Sequence, residues 1–362
     1  MTPLSPGATI GILGGGQLGR LLALEAARLG FDVHIYCPEV DAPAARVAAQ
    51  HTEASYSDND ALQHFASVCD VITYEFENVP VDAVRTLEAA GTPVRPGAMS
   101  LEISQDRLVE KSFLNEIGVP TVDYVTLQDG DELSAALSRF GGAGIVKTRR
   151  EGYDGKGQVF IRPDSAAESI DSAIDLANSA PCILEAFAPF EREISVIVGR
   201  GNSGTLMFEP AENDHDSGIL RRSTAPAQIS DAVRMAAYEA GQKLAEALNH
   251  IGVLGLEFFV MPDGSLLANE FAPRVHNSGH WTPDACDTGQ FEQHIRAVIG
   301  WPLGPITRRF DVVMENILGP EIEGVPGDYS GNDRLVSYGK RGAAGRRKVA
   351  HVTRRIAPVN DA

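Results

Sequence analysis

Over the first hundred residues, apolar and polar positions alternate in blocks. "TIGIL", "DVHIY", "DVITYEF" and "TPVRP" are short apolar runs and read as strands. Between them, "LGRLLALEAARLG" and "VDAVRTLEAAG" carry apolar residues at the spacing of an amphipathic helix. Strands and helices in alternation predict βαβ units and a parallel sheet.

The pattern changes beyond residue 105. Asp106 is placed to cap a helix that stops at the Gly118–Pro120 breaker. Next come the helical "DELSAALSRFG", the strand "GIVKTRR", a glycine-rich turn, the strand "GQVFIRP", a helix near 165–178 and the strand "CILEAF". This order predicts a compact α+β unit. From "EREISVIVGR" onward strands dominate, interrupted by the helix "VRMAAYEAGQKLAEALN". No internal repeat or low-complexity tract is visible.

In "LGLEFFVMPDGSLLANEF" two apolar runs flank Asp263-Gly264, a two-residue hairpin signal. Pairing about that turn sets Glu257 opposite Glu270 on one sheet face, with Cβ atoms about 5 Å apart. Like charges so placed destabilise a sheet unless something neutralises them. Carboxylate oxygens suit Mg²⁺ or Mn²⁺. A shared proton and a solvated outer face are the other readings of the pair.

Composition narrows the class. The 362 residues are 43% hydrophobic and 22% charged, ordinary for a globular chain of two or three domains. The net charge of −18 argues against general nucleic-acid binding. No apolar run is long enough for a membrane span. "MTPLSPG" shows no basic segment followed by an apolar core, so the expectation is a cytoplasmic protein. Cys37, Cys69, Cys182 and Cys286 are scattered and read as reduced thiols.

Two glycine-rich stretches carry candidate chemistry. Gly14, Gly16 and Gly19 in "GILGGGQLGR" fit G-x-G-x-x-G, a tight turn opening a helix N-terminus suited to an anion. Alone, this fingerprint points to an NAD-dependent oxidoreductase, which needs an acid on the ribose at the end of the second strand. Glu39 has tolerable spacing, but Pro38 turns the chain there. The second stretch, "GIVKTRREGYDGKGQVFI", puts Lys147 on a strand before Gly152, Gly155 and Gly157. Glycines let backbone N–H groups wrap an anion, and Arg149, Arg150 and Lys156 add charge. It matches neither the P-loop nor the kinase pattern.

A phosphate-gripping loop, a strand lysine and paired carboxylates resemble the ATP-grasp superfamily. Within it, "TYEFENVP", "GYDGKGQ" and "NEFAPRVHNSGHWT" resemble the 5-(carboxyamino)imidazole ribonucleotide synthase family, from residue 8 to about 351. The resemblance implies an ATP-grasp fold, mixing α/β and α+β parts, preceded by a Rossmann-like parallel-sheet domain. The expected division is 1–106 for that domain, 107–187 for the small lobe with the flap, and 188–362 for the large lobe. The implied reaction is ATP-dependent carboxylation of 5-aminoimidazole ribonucleotide with bicarbonate in purine synthesis, through carboxyphosphate. ATP, Mg²⁺ and a homodimer are implied with it. Another ATP-grasp carboxylate–amine ligase and a non-catalytic ATP-binding regulator are the alternatives.

By the same resemblance, Arg107 and Lys147 hold ATP phosphates. Gly152, Tyr153, Asp154, Gly155, Lys156, Gly157 and Gln158 form the flap. Glu185, Ala186, Phe187 and Ala188 frame the adenine, Glu193 holds the ribose, and His215 and Asn269 line the nucleotide site. Glu257 and Glu270 ligate the metal. Arg274, His276 and Asn277 hold bicarbonate and the carboxyphosphate formed from it. Gln17, Gly19, Glu75, Tyr153 and Asp154 face the substrate nucleotide. His276 and His280 also have a zinc-like spacing, but Ser278-Gly279 between them disfavours a helix.

Residues 334–360 hold eight Lys or Arg and no Asp or Glu, a local reversal of the chain's charge. The resemblance assigns Lys340 and Arg347 to the substrate phosphate. Here "YGKRGAAGRRKVAH" departs from the family ending: Ala343 replaces an Arg, a residue is inserted near Arg346, and Ala350 replaces a Gly. Arg346 or Lys348 therefore competes with Arg347 for that role.

Overall fold

The computed structural model describes residues 2–152, 156–324, 330–342 and 345–359. Tyr153, Asp154, Gly155 and Ala343 lie outside the described residues. Strands β1 (Thr9–Leu13), β2 (Asp32–Cys37), β3 (Gln50–Glu53) and β4 (Val71–Tyr74) form a parallel sheet in the order β3-β2-β1-β4. Two expectations change here. "TPVRP" makes a single bridge, Val94 to Ile72, because Pro93 and Pro96 have no N–H to extend a ladder. Gln50–Glu53, a polar edge strand, has no apolar signal to announce it.

Asp106 caps the helix Arg107–Glu116, its carboxylate accepting the Leu108 N–H at 3.0 Å. Beyond it, β5 (Tyr124–Leu127), β6 (Gly144–Thr148), β7 (Gln158–Ile161) and β8 (Cys182–Glu185) build an antiparallel sheet in the order β5-β8-β6-β7. Gly157 turns the chain from β6 into β7 at φ +67°, and a Cβ there would lie 2.5 Å from Thr148 Oγ1.

The remaining strands form one large sheet. They are β9 (Arg192–Gly201), β10 (Gly204–Met207), β11 (Ala211–Asp216), β12 (Ile219–Ala225), β13 (Gly252–Val260), β14 (Leu266–Ala272), β15 (Phe310–Leu318), β16 (Asp333–Ser337) and β17 (Lys348–Pro358). Their order is β14-β13-β9-β11-β12-β15-β17-β16, with β10 also on β9. The helix Gln290–Ile299 ties this sheet to the parallel one: Phe291, Ile295 and Val298 share a core with Ile10, Leu22 and Val33. Thr73 Oγ1 lies 2.8 Å from His294 Nε2 across that seam.

The β13–β14 hairpin forms with a different register from the expected one. Its loop has three residues, Pro262-Asp263-Gly264, with Gly264 at φ +82° and Met261 N–H bonded to Ser265 O. Proline at the first loop position and a left-handed glycine at the last favour this longer turn. Val260 therefore pairs with Leu266 and Phe258 with Ala268. A bulge then sets Asn269 and Glu270 together against Glu257, after which Leu256 pairs with Phe271. Glu257 and Glu270 are neighbours across this bulge, not a flat directly opposed pair.

Candidate active site

A cavity of 1030 Å³ opens between the parallel sheet and the large sheet. Glu257 and Glu270 line it together with Arg107 and Glu110. Glu257 is nearly enclosed by the apolar strand β13. Burial, and the neighbouring Glu270, push its carboxyl up to about 7. Glu270 goes the other way. Burial acts to raise it, but the Arg107 guanidinium at 2.9 Å outweighs burial and holds it down to about 2. Two carboxylates of opposite bias on one wall are a donor pair of the kind a cation can share. Among the described residues no cluster of three or more His, Cys, Asp or Glu forms a metal cage. That donor set fits Mg²⁺, which one or two carboxylates hold while phosphates and water supply the rest.

Lys147 and Glu185 lie deeper, outside the cavity lining. Lys147 Nζ sits 2.6 Å from Glu185 Oε2, and Lys111 Nζ, fully buried, 3.1 Å from Oε1. Burial opposes its ionisation, yet the two ammonium groups, Lys147 first, hold the Glu185 carboxyl down to about 2. Glu185 thus presents its side chain to lysines. Ala186 N–H bonds to Asp123 O at 2.8 Å, and half-exposed Phe187 meets Phe160 edge-on. Glu193 pairs with His215 at 2.9 Å. Burial works against the His215 imidazolium, but Glu193 and the nearby Glu257 raise its pKa.

The glycine-rich loop is less cationic than the sequence suggests. Gly152 and Lys156 line the cavity. Arg149 lines it too, but its guanidinium and that of Arg150 pair with the helix cap, at 2.7 and 3.3 Å from Asp106 Oδ2.

"APRVHNSGHWT" leaves β14 directly and brings Arg274, His276 and Asn277 to the cavity. Arg274 Nη2 donates to Glu77 at 2.6 Å. His276 Nδ1 accepts the Ser278 N–H, so Nε2 carries the ring proton and faces Glu257 at 3.6 Å. Burial, with Arg274 nearby, pushes His276 down to about 3, so it is a neutral donor. The Asn277 Oδ1 and Nδ2 atoms are buried with no hydrogen-bond partner among the described residues, an arrangement that leaves them available to a ligand. No zinc pair forms: the chain is a single 3₁₀ turn at Asn277–Gly279, and His280 Nδ1 lies 3.1 Å from Gln290.

On the opposite wall, Gln17, Glu39, Glu75, Lys340, Arg347 and Lys348 contribute. The open helix N-terminus at Gly16 is filled by the protein itself, since Glu75 Oε1 accepts the Gly16 N–H at 2.7 Å. Gly19 lies beneath Glu75, where a Cβ would come 3.0 Å from Glu75 Cγ, and does not line the cavity. Arg346 also lines this wall but pairs with Asp216 at 2.9 Å, and Lys340 Nζ donates to Lys348 O at 2.8 Å. Of the eight basic residues in this segment, Arg341, Arg354 and Arg355 bind Asp41, Glu315 and the Asp284 carbonyl instead.

Sequence reading missed three site residues. Glu110, buried beside Glu270, accepts the Phe271 N–H at 2.7 Å, and burial, then Glu270, pushes it up to about 8. Glu77 bonds Arg274, and Gln290 bonds the His276 backbone, in the loop that follows β14. Glu77 lies inside "TYEFENVP", whereas Glu110 and Gln290 lie in none of the motifs quoted above.

A parallel βαβ sheet followed by two antiparallel sheets, with paired carboxylates and a glycine loop over one cleft, defines an ATP-grasp protein. The ribonucleotide synthetase preATP-grasp domain family matches residues 7–105, and the ATP-grasp domain family matches residues 112–291. The chain is 53% identical to the N5-carboxyaminoimidazole ribonucleotide synthase of Brucella melitensis over 355 residues, 98% of each chain. It is similar to the Staphylococcus aureus N5-carboxyaminoimidazole synthetase complexed with ADP, with TM-score 0.93 and 35% identity over 98% of this chain and 95% of that one. It also resembles the Aspergillus clavatus N5-carboxyaminoimidazole synthase in complex with ADP and 5-aminoimidazole ribonucleotide. There the TM-score is 0.89 and the identity 28%, over 97% of this chain and 94% of that one. The chain belongs to the N5-carboxyaminoimidazole ribonucleotide synthase family.

Proposed function

We propose that the chain carboxylates 5-aminoimidazole ribonucleotide with bicarbonate at the expense of ATP. The products are 5-(carboxyamino)imidazole ribonucleotide, ADP and phosphate. The observation that carries the reading is one cavity shared by the Glu257–Glu270 pair, the Arg274–His276–Asn277 loop and the Lys340–Lys348 wall. A carboxylate pair suits the phosphates of a nucleotide with its cation, the loop suits a small oxyanion, and the basic wall suits a phosphate monoester.

A bicarbonate oxygen attacks the γ-phosphorus as its bond to the ADP oxygen breaks, giving carboxyphosphate. Carboxyphosphate splits to CO₂ and phosphate beside the amine. The amine nitrogen bonds the carbon and loses a proton, which phosphate accepts. Arg274 supplies a planar cationic fork for the carboxylate oxygens, and His276 Nε2–H and Asn277 supply neutral donors. Arg107 and Lys147 hold ATP phosphates after leaving Glu270 and Glu185. Bound Mg²⁺, held by Glu257 and Glu270, would neutralise charge on the transferring phosphoryl group. Glu193 and His215 take the ribose side, Gln17 and Glu75 the substrate nucleotide, and Lys340 and Arg347 its phosphate.

In this reading residues 1–106, 107–187 and 188–362 are the substrate-side domain, the flap-bearing lobe and the metal-bearing lobe of a cytoplasmic homodimer. Among the described residues, no helix is long and apolar enough to cross a membrane. The test is ADP release with purified protein, Mg²⁺ and ATP. It is expected to require both bicarbonate and 5-aminoimidazole ribonucleotide. Release that ignores either one overturns the reading.

A further inference from the structure

Gln290 opens the helix Gln290–Ile299 and is fully buried. Its side-chain amide clasps the backbone N–H and C=O of one residue in the loop that follows β14. Oε1 accepts the His276 N–H at 2.9 Å, and Nε2 donates to the His276 carbonyl at 2.8 Å. These two backbone partners fix which end of the amide is oxygen. Nε2 therefore also donates to His280 Nδ1, at 3.1 Å. Gln290's own N–H is held by Thr282 Oγ1 at 2.9 Å, and that hydroxyl donates to Gly279 O at 2.7 Å. Gly279 has no room for a side chain, since a Cβ would come 2.8 Å from Gln290 Oε1.

His276 is held from its other side by an absence. A Cβ on Gly255 would lie 2.6 Å from His276 Cβ, so glycine at that point of β13 lets the imidazole lie against the strand. Two residues on, the same strand presents Glu257. The imidazole is thus pinned through its backbone by Gln290, seated on Gly255, and turned by Ser278.

We propose that Gln290 is the positioning residue for His276, holding the loop so that Nε2–H meets the bicarbonate-derived anion. This rests on the functional reading above. The side chain suits the task because it answers a carbonyl and an N–H of one residue at once. Glutamate keeps the acceptor and loses the donor. Methionine keeps the length and loses both, leaving the His276 N–H unanswered and the His276 carbonyl with only the Gly279 N–H, at 3.0 Å.

The test compares the full-length protein with Gln290→Glu, Gln290→Met, His276→Ala and the double variant His276→Ala/Gln290→Glu. KM for bicarbonate is expected to rise about tenfold in Gln290→Glu and further in Gln290→Met, with KM for ATP changing less than about twofold. The double variant is expected to be no worse than His276→Ala alone, because both changes remove one interaction. A parallel rise in both KM values, or additive losses in the double variant, overturns the inference and leaves the functional reading standing. Wild-type protein without bicarbonate-dependent ADP release overturns both. Gln290→Glu is close in size to the native residue and keeps the test open should Gln290→Met fail to fold.

Discussion

The Glu75 carboxylate accepts the Gly16 N–H at 2.7 Å, seating a protein anion where a dinucleotide fold would receive pyrophosphate. All three fingerprint glycines serve that seat. A Cβ at Gly14, Gly16 or Gly19 would lie 2.6, 2.9 or 3.0 Å from Glu75. The helix N-terminus keeps its preference for negative charge, but the charge is internal. NADH is therefore expected to give no saturable change in a fluorescence titration. Saturable binding would mean that Glu75 yields its place.

Glu270 bonds Arg107 and opens on the cavity, its side chain 42% exposed. Glu270→Gln is expected to lower kcat by about two to three orders of magnitude, the scale of losing a few kcal/mol of charge stabilisation. Its thermal unfolding should match the wild type. Turnover and a melting curve on the same preparation check both halves.

Glu185 is different, because it neutralises two buried lysines. Glu185→Gln leaves Lys111 and Lys147 without their counter-charge and is expected to cost about 3–5 kcal/mol of stability. Urea unfolding measures it. A loss below 1 kcal/mol, on the order of a surface pair, would contradict this account.

Acid should destabilise the fold well above the carboxylate range. His250 is pushed down to about 4 by burial, and His294 and His351 to about 3 by the same cause. Each bonds a hydroxyl: Ser100, Thr73 and Tyr338. With folded pKa values below the unfolded value near 6.5, their contribution is complete above about 6.5 and is lost as pH falls toward 4 and 3. Each adds a slope of up to about 1.4 kcal/mol per pH unit. Urea unfolding from pH 7.5 to 4.5 should show a steady decline beginning near 6. A flat profile would refute it.

The basic wall separates two neighbouring arginines. Both line the cavity, but Arg346 is already bound to Asp216. Arg347→Ala is expected to raise KM for 5-aminoimidazole ribonucleotide about tenfold, the worth of a charge-assisted phosphate contact. Arg346→Ala should change it less than about twofold. Steady-state kinetics at saturating ATP decides between them.

Much of this architecture is legible along the chain, because apolar periodicity reports local structure. The parallel sheet, the Asp106 cap and the acidic hairpin all announce themselves that way. Pairings made in space do not. Nothing along the chain says that Arg149 turns to Asp106, that Lys111 reaches Glu185, or that Glu75 fills the glycine turn. Gln50–Glu53 escaped because an edge strand need not be apolar. The segment "TPVRP" misled because proline shares the extended backbone of a strand without its donor.

The β13–β14 hairpin carries two irregularities that cancel: an extra residue in the turn, and an extra residue at Asn269–Glu270. Either one alone would slide the distal strand by a position and throw its side chains onto the wrong face. The two irregularities thus work as a unit. Shortening the turn by one residue keeps the distal strand in place only if the bulge is straightened with it, so the hairpin's length is tied to the acid it delivers.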